Sequence, residues 1–543
     1  MKPFSLCKTY LLSYKYTLII YVIIILASSV IAILSPLIIG DFLDDLIYDA
    51  NMEIIFHFCI IFGGLNLLKI IKDYVAGIMN AKMQVKMSYK FNKDVISHVH
   101  GLSLSYINQE DSAYLSQRIG NDTVSLIGFC VSILRNIIAN TIMLIAPFVI
   151  LLRLNRLIAL LMLGFIAIYI VLYFAFKELL YNVGFAFREA QSKFFSKLLE
   201  QMKYIKLIKL NSIQNEIIKR ADDSYAVFED ATINNQKVGY LYHGMDGIVS
   251  TIAQIALFVI GGIQVMAGNF TIGMFTIFTS YFKIMLGASR YFFGLGTLYQ
   301  NTMVANDRIC EILKHVRESQ GDTIISDINR IELYNVKFSY GTAKNIIHCL
   351  NVSFAKGNIY AIAGANGAGK STLVSLMLGM YIDEYEGSIT YDDVDIRSID
   401  MIAARKSFIG FAEQEPQLVN DTIKYNLDFG NISTDGEKDF NKNISQHINA
   451  LGLQSFISEN GIDYVINEKN TNTSGGEKQK ISILKVLYKN PVVMVFDEPT
   501  SALDAKSVEM FFTYLKKIKQ DKIIIIITHD TAVKECCDVV VEV

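Results

Sequence analysis

The stretch Gly364-Ala365-Asn366-Gly367-Ala368-Gly369-Lys370-Ser371-Thr372 has the spacing G-x-x-x-x-G-K-S. It follows an apolar β-type run, Ile359 to Ala363, and opens onto the helical pattern of Leu373, Leu376 and Met377. In that strand–loop–helix context the spacing makes a phosphate-binding loop. Glycines let the backbone curl so that several N–H groups point inward as a nest for phosphates. The helix opening at Gly369 adds the positive end of its dipole. Lys370 supplies a point charge for the β- and γ-phosphates, and the Ser371 hydroxyl suits Mg²⁺ ligation. Gly364, Asn366, Gly367, Gly369, Lys370, Ser371 and Thr372 are therefore read as residues that bind a nucleoside triphosphate.

A second set of reactive side chains lies near the end of the chain. Val492 to Phe496 is a buried-strand run that closes on Asp497 and Glu498. Asp497, at a strand end, suits Mg²⁺ ligation through water, and Glu498 is placed to polarise an attacking water. Another apolar run, Ile523 to Ile527, ends in Thr528 and His529. A lone histidine after a strand is usually structural, but beside Lys370 and Glu498 a γ-phosphate contact is the better reading. Ser474, Gly475 and Gly476 precede a helix expected over Lys478 to Tyr488, which makes a second phosphate-binding helix N-terminus. The two nests are too far apart in sequence pattern to grip one nucleotide. Two chains facing each other would complete the site, each lending Ser474, Gly475 and Gly476 to the nucleotide of its partner.

These residues need elements to position them, and the composition shows which. The chain has 543 residues, 52% hydrophobic and 19% charged, with a formal net charge of −2 and a mean hydropathy of +0.35. A chain this long holds more than one core. Its charge balance argues against bulk binding to nucleic acid. Seven scattered cysteines show no zinc-type spacing, which fits a reduced, cytosol-facing protein. Six apolar runs are long enough to cross a bilayer: 17–40, 54–76, 133–152, 157–176, 247–267 and 270–292. The first is too long for a signal peptide and lacks a small-residue cleavage site, so it is expected to be retained.

Lysine placement orients these spans. Lys2, Lys8 and Lys15 precede the first, whereas Asp41, Asp44, Asp45 and Asp49 follow it without a basic residue. The N-terminus and the C-terminal half are thus expected in the cytosol and the protein in the plasma membrane; Arg153 and Arg156 run against the trend. The long, helically periodic segments from Ala81 to Val124 and from Glu178 to Met245 suggest that spanning helices continue into the cytosol. Lys283 lies near the middle of the sixth span. A charge at mid-bilayer is costly, so Lys283 is a candidate for a substrate cavity, with an interhelical ion pair or snorkelling as the alternative. Residues 311–330 read as a polar linker, and from Ile331 strands alternate with helices in α/β order. An aromatic at Tyr340, ahead of the phosphate loop, could stack on adenine.

Taken together, these motifs resemble the ATP-binding cassette transporters, specifically the exporter-type half-transporters, over nearly the whole chain. GANGAGKST stands as Walker A, VVMVFDE as Walker B with its acid, and TSGGEKQK in place of the signature. The resemblance implies an all-α domain of six transmembrane helices with long cytosolic extensions (1–310), a linker (311–330) and an α/β P-loop ATPase domain (331–543). It implies ATP and Mg²⁺ as ligands, adenine stacking by Tyr340, and Mg²⁺ sensing by Gln414. It makes Glu498 the catalytic base, His529 the switch histidine and Asp504 part of the loop that comes after the acid. Glu468 matches the exporter's cross-linking loop. The segments near Leu102 to Asp111 and Ile205 to Asn215 match coupling helices, which would dock near Gln414 and Glu468.

Thr473 and Glu477 depart from the signature, which usually has leucine and glutamine there, while Ser474, Gly475 and Gly476 remain. The family's C-terminal helices are expected to be short or missing. No cysteine peptidase domain precedes the first span, so peptide processing in the same chain is not expected. The resemblance implies an ATP hydrolase that exports a peptide, lipid or amphipathic molecule as a dimer, a homodimer before a heterodimer. The same ATPase motifs would also serve an exporter-fold importer or an ATP-gated channel.

Overall fold

A computed structural model describes residues 3–49, 51–110, 112–340, 346–365, 367–429, 447–448, 451, 453–466 and 474–543. Asn366, Glu468 and Thr473 lie outside the described residues. The chain divides into two compact units, one of residues 1–97 and 113–314, the other of 98–112 and 315–543.

The first unit is helical. A short helix α1 (Pro3–Ser13) leads into α2 (Lys15–Tyr48) and α3 (Met52–Val99). After α4 (Leu104–Gln109) come α5 (Ser112–Leu154), α6 (Arg156–Lys203), α7 (Ile205–Asn211), α8 (Gln214–Met266) and α9 (Ile272–Lys314). Six of these are long and apolar enough to cross a membrane. At 1.5 Å per residue, the 48 residues of α3 or α6 reach about 72 Å, more than twice a hydrocarbon core of about 30 Å. α9 runs through to Lys314, so it takes in the first residues of the stretch expected as linker. Ala305, Ile309, Cys310 and Ile312 are buried there and sustain the helical period.

The entry to α9 is set by packing against α2. Thr271 is positioned as the cap: its Oγ1 accepts from the Met274 N–H at 3.0 Å. Asp44 of α2 reinforces it, accepting from the Thr271 hydroxyl at 2.5 Å and the Gly273 N–H at 2.7 Å. The two backbones touch here, because a Cβ on Gly273 would lie 2.1 Å from the Gly40 carbonyl oxygen. Small residues permit this approach in place of apolar burial, which does little between helices in lipid.

The second unit holds two sheets. An antiparallel one, in the order β2-β1-β4-β5, comprises β1 (Arg330–Phe338), β2 (Ile347–Ala355), β4 (Tyr385–Tyr391) and β5 (Val394–Asp395). A parallel one, in the order β6-β7-β8-β3-β9, comprises β3 (Ile359–Ala363), β6 (Ile409–Ala412), β7 (Val493–Asp497), β8 (Ile523–Ile527) and β9 (Val539–Glu542). β3, β7 and β8 are buried at every residue, as central parallel strands covered on both faces must be. Helices α10 (Lys370–Met377), α11 (Met401–Phe408), α12 (Ile423–Leu427), α13 (Gln454–Asn460), α14 (Gly475–Lys489), α15 (Ala505–Ile518) and α16 (Thr531–Glu535) complete the unit.

The segment carrying α4 belongs to this unit as well. The Ser105 hydroxyl donates to Glu384, Leu104 packs against the core beneath the antiparallel sheet, and the Tyr106 ring lies 4.1 Å from that of His315. The hydrogen bond from Ser105 thus ties this segment to Glu384 of the same unit.

One consequence concerns the α2–α9 contact. Gly273→Val forces a branched side chain into a space smaller than an atom, and overpacking of this kind costs about 1–3 kcal/mol. The expected result is a lower unfolding temperature for the purified protein in detergent; an unchanged value would show that the two helices are not in contact.

Candidate active site

The parallel sheet brings the predicted residues to one edge. Asp497 ends β7, and the loops leaving β3, β6, β7 and β8 carry, in turn, the phosphate loop, Gln414, Glu498 and His529. Ligands of open α/β sheets bind outside the carboxyl ends of the strands.

The phosphate loop needs its glycines. Gly367 and Gly369 have φ of +82° and +97°, a left-handed backbone that side chains disfavour. A Cβ on Gly364 would stand 2.5 Å from the Val543 carbonyl oxygen. Gly369 caps α10. Lys370, the first residue of that helix, is largely buried and donates from Nζ to the carbonyls of Gly364 and Ala365 at 2.9 and 3.0 Å. Thr372 shares a 3.1 Å hydrogen bond with the Tyr340 hydroxyl. The Tyr340 ring meets Phe338 and Tyr381 edge-on and is 40% exposed, which leaves part of it for a ligand.

The Ser371 hydroxyl donates to Asp497 Oδ2 at 3.2 Å. Burial pushes the Asp497 carboxyl above its ordinary value, against the lowering effect of that hydrogen bond. Glu498, the next residue, departs from the strand: its φ and ψ are 47° and 51°, a left-handed conformation that costs a residue with a Cβ about 1–2 kcal/mol. Its N–H donates to the Ile527 carbonyl at 3.0 Å. Both carboxylate oxygens are held. Gln414 Nε2 donates to Oε2 at 2.6 Å, and His529 Nδ1 lies 2.9 Å from Oε1. Gln414, Glu498 and His529 thus meet in one cluster, although the first and last are 115 positions apart in the sequence.

The signature segment is also ordered by its own residues. α14 begins at Gly475, three residues before the start expected from sequence, because Ser474 caps it. The Ser474 Oγ accepts from the Glu477 N–H at 3.2 Å, and Glu477 Oε2 accepts from the Ser474 N–H at 2.7 Å and its hydroxyl at 2.9 Å. This is a capping box. It gives the departure at Glu477 a structural role. At its far end α14 is pinned by Lys489, whose Nζ donates to the carbonyls of Arg405 and Ile409 at 2.8 and 2.6 Å. Burial lowers that ammonium's pKa to about 8.

Sequence reasoning missed Gln479. It is 5% exposed. Its Nε2 donates to the Glu498 carbonyl at 2.8 Å, and its Oε1 accepts from the Ser501 hydroxyl at 3.0 Å. A glutamine in an amphipathic helix reads as surface, and no sequence signal marks it. Asp504 caps α15 by accepting from the Ser507 N–H at 2.8 Å, a bond that holds its carboxyl below the usual range. Lys283, in the first unit, is exposed and makes no ion pair with any described residue. Its neighbour Arg290 does pair, with Asp246 at 2.6 Å.

A phosphate loop, an acid at the end of another strand of the same sheet and six membrane-length helices in one chain define a membrane transport ATPase. The family model described as ABC transporter transmembrane region matches residues 18–289, and that described as ABC transporter matches 347–501. The chain belongs to the ABC transporter family. It is a multi-pass membrane protein of the exporter type that binds ATP and hydrolyses it to drive transport.

Among its relatives, "ABC transporter B family member 1" of Dictyostelium discoideum is 28% identical over 455 residues, 82% of this chain and 49% of that protein. The chain therefore spans about half the length of that relative. An "ATP-dependent lipid A-core flippase" of Desulfotalea psychrophila is 24% identical over 462 residues, 84% of this chain and 79% of that one. The solved structure of a bacterial Atm1-family ABC exporter with ATP bound has the same fold, with a TM-score of 0.84 at 18% identity, covering 98% of this chain and 93% of that one.

The raised titration of Asp497 has a sign that can be tested. A carboxyl whose folded pKa exceeds its unfolded one contributes stability at low pH, and that contribution is lost as pH rises through the folded value. Asp497→Asn should therefore raise the unfolding temperature of the nucleotide-free protein near about pH 7. The gain should shrink as pH falls toward the ordinary aspartate value of about 3.9. A gain that does not change with pH would show that ionisation of Asp497 is not its source.

Proposed function

We propose that two identical copies of this chain pair in the plasma membrane, with the N-terminus and ATPase unit in the cytosol, and export a peptide, lipid or amphipathic small molecule. Each of two ATP sites combines the phosphate loop of one copy with Ser474, Gly475 and Gly476 of the other. The exposed tip at α7 supports a second chain. That helix has no buried residue, and Leu207 and Leu210 are 54% and 73% exposed. The flippase relative supports a lipid-like cargo, and Lys283 would meet an anionic group on it.

The observation that carries the reading is the grip on Glu498. A carboxylate set one residue past the buried Asp497, held at one oxygen by Gln414 and at the other by His529, is suited to orient a water for attack on the γ-phosphate. Glu498 takes the water's proton as the water oxygen bonds to the γ-phosphorus and the bond from that phosphorus to the β–γ bridging oxygen breaks, which releases ADP and phosphate. Lys370 stabilises the phosphate charge, and His529 holds the carboxylate and contacts the γ-phosphate. Tyr340 stacks on the base. Asp504 and Glu468 act in coupling.

Mg²⁺ fits this site. Ser371 Oγ and Asp497 Oδ2 are adjacent hard oxygen donors, and Mg²⁺ takes one or two such protein ligands along with phosphates and waters. Gln414 would reach it on release from Glu498. When bound, the ion supplies neutralisation of phosphate charge.

If Glu498 is the base, Glu498→Gln lowers the ATPase rate by about 10²-fold or more and leaves ATP binding intact. Purified mutant protein that hydrolyses ATP as fast as wild type would show the assignment to be wrong. Uptake of cargo by inverted vesicles, dependent on ATP, is the expected direction of flux.

A further inference from the structure

We propose that Gln479 is a positioning residue that ties the two ATP sites of the dimer together within each chain. The inference rests on the proposed dimer, in which Ser474 to Gly476 meet the partner's nucleotide and Glu498 works on the chain's own.

α14 carries both ends of this link. Its first turn is the segment that meets the partner's ATP, and one turn further Gln479 reaches back to Glu498. The buried face of the helix is otherwise almost wholly apolar, with Ile481, Ile483, Leu484, Val486 and Leu487 packed in a cluster that includes Met494 and Phe496 of β7. Leucine at 479 would continue that face. A buried amide is tolerated only when its groups are satisfied, and here both are. Nε2 donates to the Glu498 carbonyl at 2.8 Å, and Oε1 accepts from Ser501 at 3.0 Å.

The point of attachment matters. Glu498 is in the left-handed region, so its peptide needs support on both sides. β8 supplies one side through the Ile527 carbonyl, bonded to the Glu498 N–H. Gln479 supplies the other, directly and through Ser501, whose hydroxyl also lies 3.1 Å from the Glu498 carbonyl. With Lys489 pinning the far end of α14, a small displacement at its N-terminus is delivered to the Glu498 backbone. The carboxylate is then aligned only when the helix has engaged a phosphate. Hydrolysis at one site thus depends on ATP at the other.

The test compares wild type, Gln479→Leu and Ser501→Ala as full-length protein in lipid nanodiscs. ATPase rate against ATP concentration, ATP affinity without turnover, and unfolding temperature are measured for each. Wild type should show a Hill coefficient well above 1, up to the two sites present. Gln479→Leu should bring it to about 1 and lower kcat about tenfold through misplacement of the base, with ATP affinity and unfolding temperature unchanged.

Ser501 is exposed, so Ser501→Ala preserves folding and should shift both quantities in the same direction by less. It decides the matter if the leucine variant does not fold. A wild-type Hill coefficient of 1 would overturn the proposal, as would variants that keep wild-type cooperativity and kcat, or that lose ATP affinity in step with rate. Glu498→Gln in the same assay tests the base assignment separately. If it abolishes turnover while the Gln479 and Ser501 variants behave as wild type, the base assignment stands and the link fails.

Discussion

Parallel strands that pair in register must end at one level, and the ATP site depends on this. Ile527 of β8 pairs with Asp497 of β7 on one side and with Ile362 of β3 on the other, while Ala412 of β6 pairs with Phe496. The phosphate loop, Gln414, Glu498 and His529 therefore leave the sheet at the same height, although they come from four separate parts of the chain. Nothing in the local chemistry of each loop brings them together. Hydrogen-bond register does, and burial of β3, β7 and β8 on both faces fixes that register.

The edge of a sheet gives proximity, whereas orientation has to be imposed on the backbone. Glu498 leaves β7 in a left-handed turn, which aims its side chain across to Gln414 and His529 instead of along the strand. Such a conformation persists only where its surroundings determine it. The supports are the bond to Ile527 and the bonds from Gln479 and Ser501. Asp497, by contrast, remains within the strand, where burial disfavours its charge and the Ser371 hydroxyl partly compensates. Two consecutive carboxylates thus have different environments, one enclosed and one gripped from outside.

Much of this was legible from residue types. Gly364 to Thr372, the run into Asp497 and Glu498, and the hydroxyl–glycine step at Ser474 each announce local geometry, because phosphate nests and strand ends use short contiguous segments. The six apolar runs announced the helical unit for the same reason. What sequence did not reveal depends on distant partners. Ser105 and Glu384 are 279 residues apart, and nothing around Leu104 shows that it packs with the ATPase core. Gln479 was hidden because its helix is amphipathic. Glu477 read as a departure from a motif, whereas its carboxylate closes a capping box. The role of Asn366 rests on the spacing of the phosphate loop, and that of Glu468 on the resemblance alone.

The membrane helices follow a different rule. Lipid gives little incentive for apolar surfaces to associate, so α2 and α9 are joined by a backbone-to-backbone approach at Gly40 and Gly273 and by Asp44 at the start of α9. Beyond the apolar windows the helices continue, and the chain between α3 and α5 is absorbed into the ATPase unit through Leu104 and Ser105. The turn at α7 has no buried residue among those described and exposes leucines. One connection thus belongs to the ATPase unit and the other to the helical unit. In the dimer proposed above, those exposed leucines give a second chain a surface to cover.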